Sequence, residues 1–191
     1  MESVTVRVLG VDQWREYRTV RLAALEDSPH AFSSGLDEEM THDEQQWRAC
    51  MVRAHRLLAE RDGAPVGVVS VGPTADEDGS ADVFGLWVDS AVRNTGVAWR
   101  LVEAACDEAL RSGWSHLYYW VGSQNGRAIG FASNFGFRPT SHRRTARTPC
   151  ADCGEHQEIA MVLSLPSNAG VPNPMGPRLI GQPGPAGDVV S

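Results

Sequence analysis

The sequence predicts one α/β domain: a mixed, mostly antiparallel sheet with a parallel central pair, flanked by about four helices. Three observations predict it. Segments of strand-like and helix-like periodicity follow one another as strand, two helices, three strands, helix, strand, helix, two strands. Asp62-Gly63 stands between two apolar runs, a hairpin signal that makes the first half antiparallel. In the second half, one helix separates two buried-looking strands, and a helical crossover joins strands that run parallel.

Taken in order, Val4, Val6 and Val8 alternate with Thr5 and Arg7, as a half-buried strand does. Asp12 offers an N-cap to a helix in which Trp14, Tyr17, Arg21, Leu22 and Leu25 recur at helical spacing, and Ser28-Pro29 breaks it. A second helix is expected from Asp43 to about Met51, with Trp47 and Met51 facing inward. Residues 57–60 and 66–71 form the hairpin strands around Asp62-Gly63, 74–80 an acidic longer turn, and 81–89 the next strand. The central helix keeps Val97, Leu101, Ala104, Ala105 and Ala109 on one face and ends at Ser112-Gly113, where glycine suits the left-handed position. Residues 114–121 are aromatic and β-branched enough for a buried strand. Asn125 caps a helix ending at Asn134, Gly136-Phe137 restarts an extended segment, and 158–165 is the last strand.

Composition divides the chain into a domain at 1–165 and a tail at 166–191. The tail holds six prolines and five glycines in 26 residues, a composition expected to stay disordered. A formal charge of −7 argues against a nucleic-acid binder, which carries a basic face. No apolar run approaches the roughly 18 residues of a membrane span. The N-terminus lacks the basic start and apolar block of a secretory signal, so a cytoplasmic protein is expected.

The chemistry concentrates in Leu86-Trp87-Val88-Asp89-Ser90-Ala91-Val92-Arg93-Asn94-Thr95-Gly96-Val97-Ala98. An apolar strand ends in a polar turn that opens directly into a helix. Such a turn leaves backbone N–H groups aimed at one point beside the positive end of the helix dipole, a ready phosphate site. Gly96 permits close approach of a ligand and Arg93 adds a fixed positive charge.

The spacing Arg93-x-x-Gly96-x-Ala98 resembles the pyrophosphate loop of the GNAT superfamily, the acyl-CoA N-acyltransferases. Two further elements carry the resemblance, which covers about 4–165. One is Asn125-x-x-Ala128-x-x-Phe131 followed by Phe135-Gly136-Phe137; the other is Arg21-Leu22-x-Ala24-Leu25 with Pro29-x-Ala31-Phe32. The resemblance implies the GNAT fold, acetyl-CoA as donor, and transfer of its acetyl group to a primary amine of a small molecule or peptide. It implies that the backbone of Leu86, Trp87 and Val88 pairs with the pantetheine arm. The amides of Asn94, Thr95, Gly96, Val97 and Ala98, with Arg93, would hold the pyrophosphate, and Asn125 would lie beside the pantetheine or cap its helix. A homodimer is compatible with it.

Two positions depart from the family pattern. Asn94 stands where glycine is usual, and asparagine tolerates positive φ. Ala132 stands where many members place a tyrosine that protonates the departing thiolate; Tyr118, Tyr119 or a water are candidate substitutes. Asp82, on the strand before the loop, is the candidate base for the attacking amine; the plainer alternative is a solvated turn residue. Asp89 is expected to cap the turn, and His30 with Phe32 is a candidate for the acceptor pocket.

Cys50 and Cys106 fall in helical stretches as small core residues. Cys150-x-x-Cys153-x-x-His156 has metal-like spacing, but a fourth ligand such as His142 is not evident from spacing. A polar hairpin loop with two free thiols is the expectation, with metal binding and a disulfide as alternatives, so no metal is assigned. Three functional readings follow: an acetyl-CoA-dependent N-acetyltransferase, which we carry forward; a non-catalytic acyl-CoA-binding regulatory module, motivated by Ala132; and a metal- or redox-responsive variant using the loop around 150.

Overall fold

A computed structural model describes residues 4–75, 77–146 and 156–166, without the side chains of His30, Ala146 and His156. The elements are β1 Val4–Leu9, α1 Trp14–Asp27, α2 Leu36–Met40, α3 Glu44–Arg53, β2 His55–Arg61, β3 Ala64–Pro73, β4 Ser80–Val88, α4 Val97–Arg111, β5 His116–Gly122, α5 Gly126–Phe135, β6 Arg138–Ala146 and β7 His156–Ser164. They build one seven-stranded sheet in the order β1-β2-β3-β4-β5-β7-β6. Only β4 and β5 pair in parallel; every other neighbouring pair is antiparallel.

Local chemistry explains most boundaries. Asp62 (φ 53°) and Gly63 (φ 77°) form the tight β2–β3 turn. Asp43 caps α3 reciprocally: its carboxylate accepts from Gln46 N–H and its own N–H donates to the Gln46 side chain, each at 2.8 Å. Asn125 Oδ1 accepts from Ala128 N–H at 3.0 Å and so starts α5.

Helices cover the two faces of the sheet. α4 and α5 lie on one, where Leu57, Val69, Val71, Ala81, Val83, Leu117 and Val121 pack under Val97, Leu101, Ala105 and Ala109. α1 and α3 lie on the other, over Leu9, Leu58, Val68 and Trp87, with Trp14, Tyr17, Leu25 and Trp47 as their buried side chains.

Four readings need correction. The short α2 was not foreseen, because five residues are too few to display a helical period. Asp12 does not cap α1: residues Val11–Gln13 form a tight turn first, and the Asp12 carboxylate receives Arg48 Nη1 at 2.8 Å. The strand expected at 114–121 begins at His116, since Trp114 N–H is spent closing α4 on the Ala109 carbonyl. Cys50 is not buried in the core; its Sγ accepts from Arg53 at α3's outer end. Cys106 is packed against the core as expected, and burial pushes its thiol up to about 12. Cys150 and Cys153 lie outside the described residues, as does the tail beyond 166.

Candidate active site

β4 leaves β5 halfway along. The parallel rungs run Ser80–His116, Ala81–Leu117, Asp82–Tyr118 and Val83–Tyr119, and stop there. The cause is in β4 itself. Against β3, Ser70 faces Phe84 but Val68 faces Trp87, so β4 carries one extra residue, and Gly85 takes φ +64° at that bulge. A bulge bends and twists its strand. From Phe84 to Val88 the edge of β4 toward β5 is therefore unpaired, while its other edge is held by β3. Leu86, Trp87 and Val88 line this fork.

The loop after β4 is built as the sequence suggested. Asp89 accepts from Ala91 N–H at 2.8 Å and caps a short turn. Asn94 sits at φ 65°, and Gly96 at φ 90° is the left-handed residue on which α4 starts. A methyl group at Gly96 would meet no atom within 4 Å, so the space in front of the α4 N-terminus is open. Val97 is buried and anchors the helix, and Thr95 Oγ1 donates to the Val92 carbonyl at 2.7 Å. These residues present N–H groups at the dipole's positive end, and the open cradle fits a phosphate group.

Arg93 lies beside this cradle but is turned toward α1. Its Nε donates to the Val88 carbonyl at 2.9 Å and its Nη2 to Asp27. Trp87 Nε1 donates to the same Asp27 carboxylate at 2.9 Å. Hydrogen bonds from Ser28, Trp87 and Arg93 hold the Asp27 carboxyl below the usual range. One acid at the end of α1 thus fixes both the strand and the loop. Two more basic groups stand at the loop: Arg127 Nη2 on Asn94 Oδ1 at 3.1 Å, and Arg61 Nη2 on Thr95 Oγ1 at 3.3 Å. Asp27, Arg61 and Arg127 were not singled out from the sequence. Arg127, two residues past the Asn125 cap, carried a readable signal, because it sits in the first turn of a helix where basic residues are disfavoured.

Asp82 and Tyr118 are partners on one rung, just before the fork opens. Both belong to the sheet face opposite α4. Tyr118 donates to Glu77, a bond that raises its phenol to about 12. Tyr118, Glu77, Thr74, Trp120 and His142 line a shallow recess of about 30 Å³ on this face. Tyr119, on the last rung, points to the other face and packs in the cluster that holds Ala132; burial raises it to about 12. Ala132 itself is fully buried, a core residue of α5. Asn125 serves as a cap, the second of the two roles expected of it. Phe32 is buried beneath the Arg21 guanidinium, 4.4 Å from its ring centre. Among the described residues, no group of His, Cys, Asp and Glu side chains could hold a metal ion.

A family model for the GNAT acetyltransferases matches residues 19–137. The chain belongs to the GNAT acetyltransferase family. The match spans the C-terminal part of α1, the fork, the loop and α5. Solved structures share the whole fold. The Salmonella typhimurium protein yncA, determined with its cofactor acetyl-CoA, is similar at TM-score 0.68 and 20% identity over 90% of this chain and 99% of that one. A GNAT acetyltransferase from Streptococcus pneumoniae gives 0.69 and 16% identity over 86% and 100%. The ribosomal-protein-alanine N-acetyltransferase of Brucella melitensis gives 0.62 and 20% over 84% and 99%. No curated protein is matched in sequence. The GNAT family uses acetyl-CoA as the donor in acyl transfer. No helix among the described residues is long and apolar enough to cross a membrane.

Proposed function

We propose that this protein is an N-acetyltransferase that moves an acetyl group from acetyl-CoA to the primary amine of a small molecule or peptide by direct attack on the thioester. The observation that carries it is the fork, opening at Val83 with a carboxylic acid and two phenols on its last two rungs and a helix N-terminus at its far end. Bound acetyl-CoA supplies an electrophilic thioester carbon to which an amine adds as the thiol departs.

The unpaired edge of Leu86, Trp87 and Val88 holds the pantetheine amides as an added strand would. The N–H groups of Asn94, Thr95, Gly96, Val97 and Ala98 hold the pyrophosphate. Arg93 shapes this loop through Val88 and Asp27 and leaves its charge beside the phosphates, where Arg127 joins it. Asp82 accepts the proton of the incoming ammonium, at the rung where the acceptor face meets the fork. Tyr119 stands in for the proton donor missing at Ala132: it stays protonated at neutral pH and occupies the fork's apex in the same cluster. Tyr118 is the poorer candidate, since its O–H is already engaged as donor to Glu77.

The test is calorimetric titration with acetyl-CoA, then transfer to an amine panel followed by product chromatography. Binding is expected for the intact protein and lost in an Arg93→Ala, Gly96→Glu double variant. Asp82→Asn and Tyr119→Phe are each expected to lower kcat by about 10²- to 10⁴-fold, the ordinary worth of a general base or acid. The burial of Ala132 favours one rival, a module that binds acyl-CoA without turnover. Tight binding with no transfer to any amine would establish that rival and end the enzyme reading.

A further inference from the structure

Among the described residues, Arg56 is a buried cation without an anion. It projects from β2 with 6% of its surface exposed. Its guanidinium lies between two rings, 4.9 Å from the centre of Tyr17 and 5.3 Å from that of Phe84. Nη1 donates to Ser70 Oγ at 2.6 Å and Nη2 to the Cys50 carbonyl at 2.8 Å, while Nε has no partner. Among the described residues no carboxylate pairs with it. Buried charges are costly unless paired and hydrogen-bonded, so an anion at this guanidinium would be stabilising.

Its surroundings point to where that ligand sits. Arg56, Ser70 and Phe84 stand side by side across β2, β3 and β4. The next residue on β4 is Gly85, the bulge at which the fork opens. Ser70 Oγ lies 3.7 Å from the point a Gly85 Cβ would occupy, and Arg21 Nη1 lies 3.9 Å from it. Arg21 spends Nε and Nη2 on Glu39 and Ser34, and Nη1 makes neither bond. Two guanidiniums therefore converge on Gly85, one directly and one through Ser70, and Glu39 balances only one of them. A positive charge is left over beside the proposed thioester site. Asp82 is two residues before Phe84 on the same face, about 7 Å along the strand at the usual rise.

We infer that the acceptor is a primary amine that also carries a carboxylate, an α-amino acid being the smallest such molecule, and that Arg56 and Arg21 receive that carboxylate. The inference rests on the N-acetyltransferase reading and adds the acceptor's second group: the amine goes toward Asp82, the carboxylate toward Gly85. A zwitterionic acceptor is net neutral, so the chain's overall charge neither attracts nor repels it, and a local pair of arginines is the feature that selects its carboxylate. A planar guanidinium suits it, because its fork of N–H groups matches a carboxylate.

The experiment is calorimetry on the full chain saturated with CoA, with alanine, methionine, phenylalanine and lysine each set against the amine left by its decarboxylation. At least one amino acid is expected to bind tenfold or more tightly than its own decarboxylated amine. That preference should fall toward unity in Arg56→Gln and recover in part in Arg56→Lys, with circular dichroism and acetyl-CoA binding confirming that both variants fold. The comparison on the unaltered protein stands even if neither variant folds. Equal binding of every pair, or a preference unaltered in a folded Arg56→Gln, overturns the inference. Acetyl transfer is read separately from binding. Carboxylate-dependent binding without transfer keeps this site and removes the enzyme reading; transfer that ignores the carboxylate keeps the enzyme reading and removes this site.

Discussion

Gly96 offers the sharpest test of the loop, because structure separates the two effects of changing it. In Gly96→Ala the added methyl group meets no atom within 4 Å, so no clash contributes. What remains is conformational: φ is +90°, and holding an L-residue in the left-handed region costs about 1–2 kcal/mol. For a chain of this size each kcal/mol moves the melting temperature by about 2–4 °C, so the apo-variant should melt about 2–8 °C lower. The methyl group also points into the open cradle, where the proposed phosphates approach. If this lowers acetyl-CoA affinity tenfold, the stabilisation of about 2.7 kcal/mol expected at one hundred times Kd falls to roughly half in the variant. The assay is thermal unfolding with and without acetyl-CoA at one fixed concentration. Gly130→Ala is the control: it is interior to α5, also meets nothing within 4 Å and has no positive φ, so the same substitution should stabilise by about 0.8–1 kcal/mol. If both variants melt with the wild type, position 96 is not held left-handed. If Gly96→Ala is destabilised but keeps the full acetyl-CoA shift, the loop is not the phosphate cradle.

Two further outcomes follow from packing and charge. Leu101 is fully buried on α4, its Cδ1 3.0 Å from where a Gly67 Cβ would stand, so Leu101→Ala should cost about 2–5 kcal/mol in a urea titration. Burial opposes the charge of Glu39, but the hydrogen bonds and charge of Arg21 outweigh it and lower its pKa from 4.5. A carboxyl lowered on folding contributes stability that is full above its ordinary value and is lost as pH falls through the folded one. Glu39→Gln should therefore be clearly less stable than wild type at pH 7, with the gap closing as pH drops below about 4.5; a gap that does not change with pH would refute the ion pair's role.

The parts of the fold that were legible in the sequence are those that a few neighbouring residues decide. Asn125 and Asp89 cap within three residues of themselves. Asp62-Gly63 and Gly96 set backbone dihedrals with their own side chains or lack of them. The amphipathic stripe of α4 and the apolar strands needed only periodicity. Element order apart from α2, and the family motifs, followed from these local signals, and so did the position of the proposed phosphate loop.

Tertiary structure decided everything that depends on which distant segments meet. Nothing in the run 81–89 announces that β4 bulges at Gly85 and parts from β5 after Val83, because a bulge is defined only against its partner strand. Arg93 reads as a phosphate ligand, and only the return of α1 shows Asp27 holding it from 66 residues away. The charge of Arg56 is ordinary in a chain with 24 acidic residues, until the sheet buries it between Tyr17 and Phe84 with none of the described acids paired to it. Caps and turns are local free energies that a short sequence window contains, whereas desolvation and charge pairing are properties of surroundings that exist only once the chain has folded.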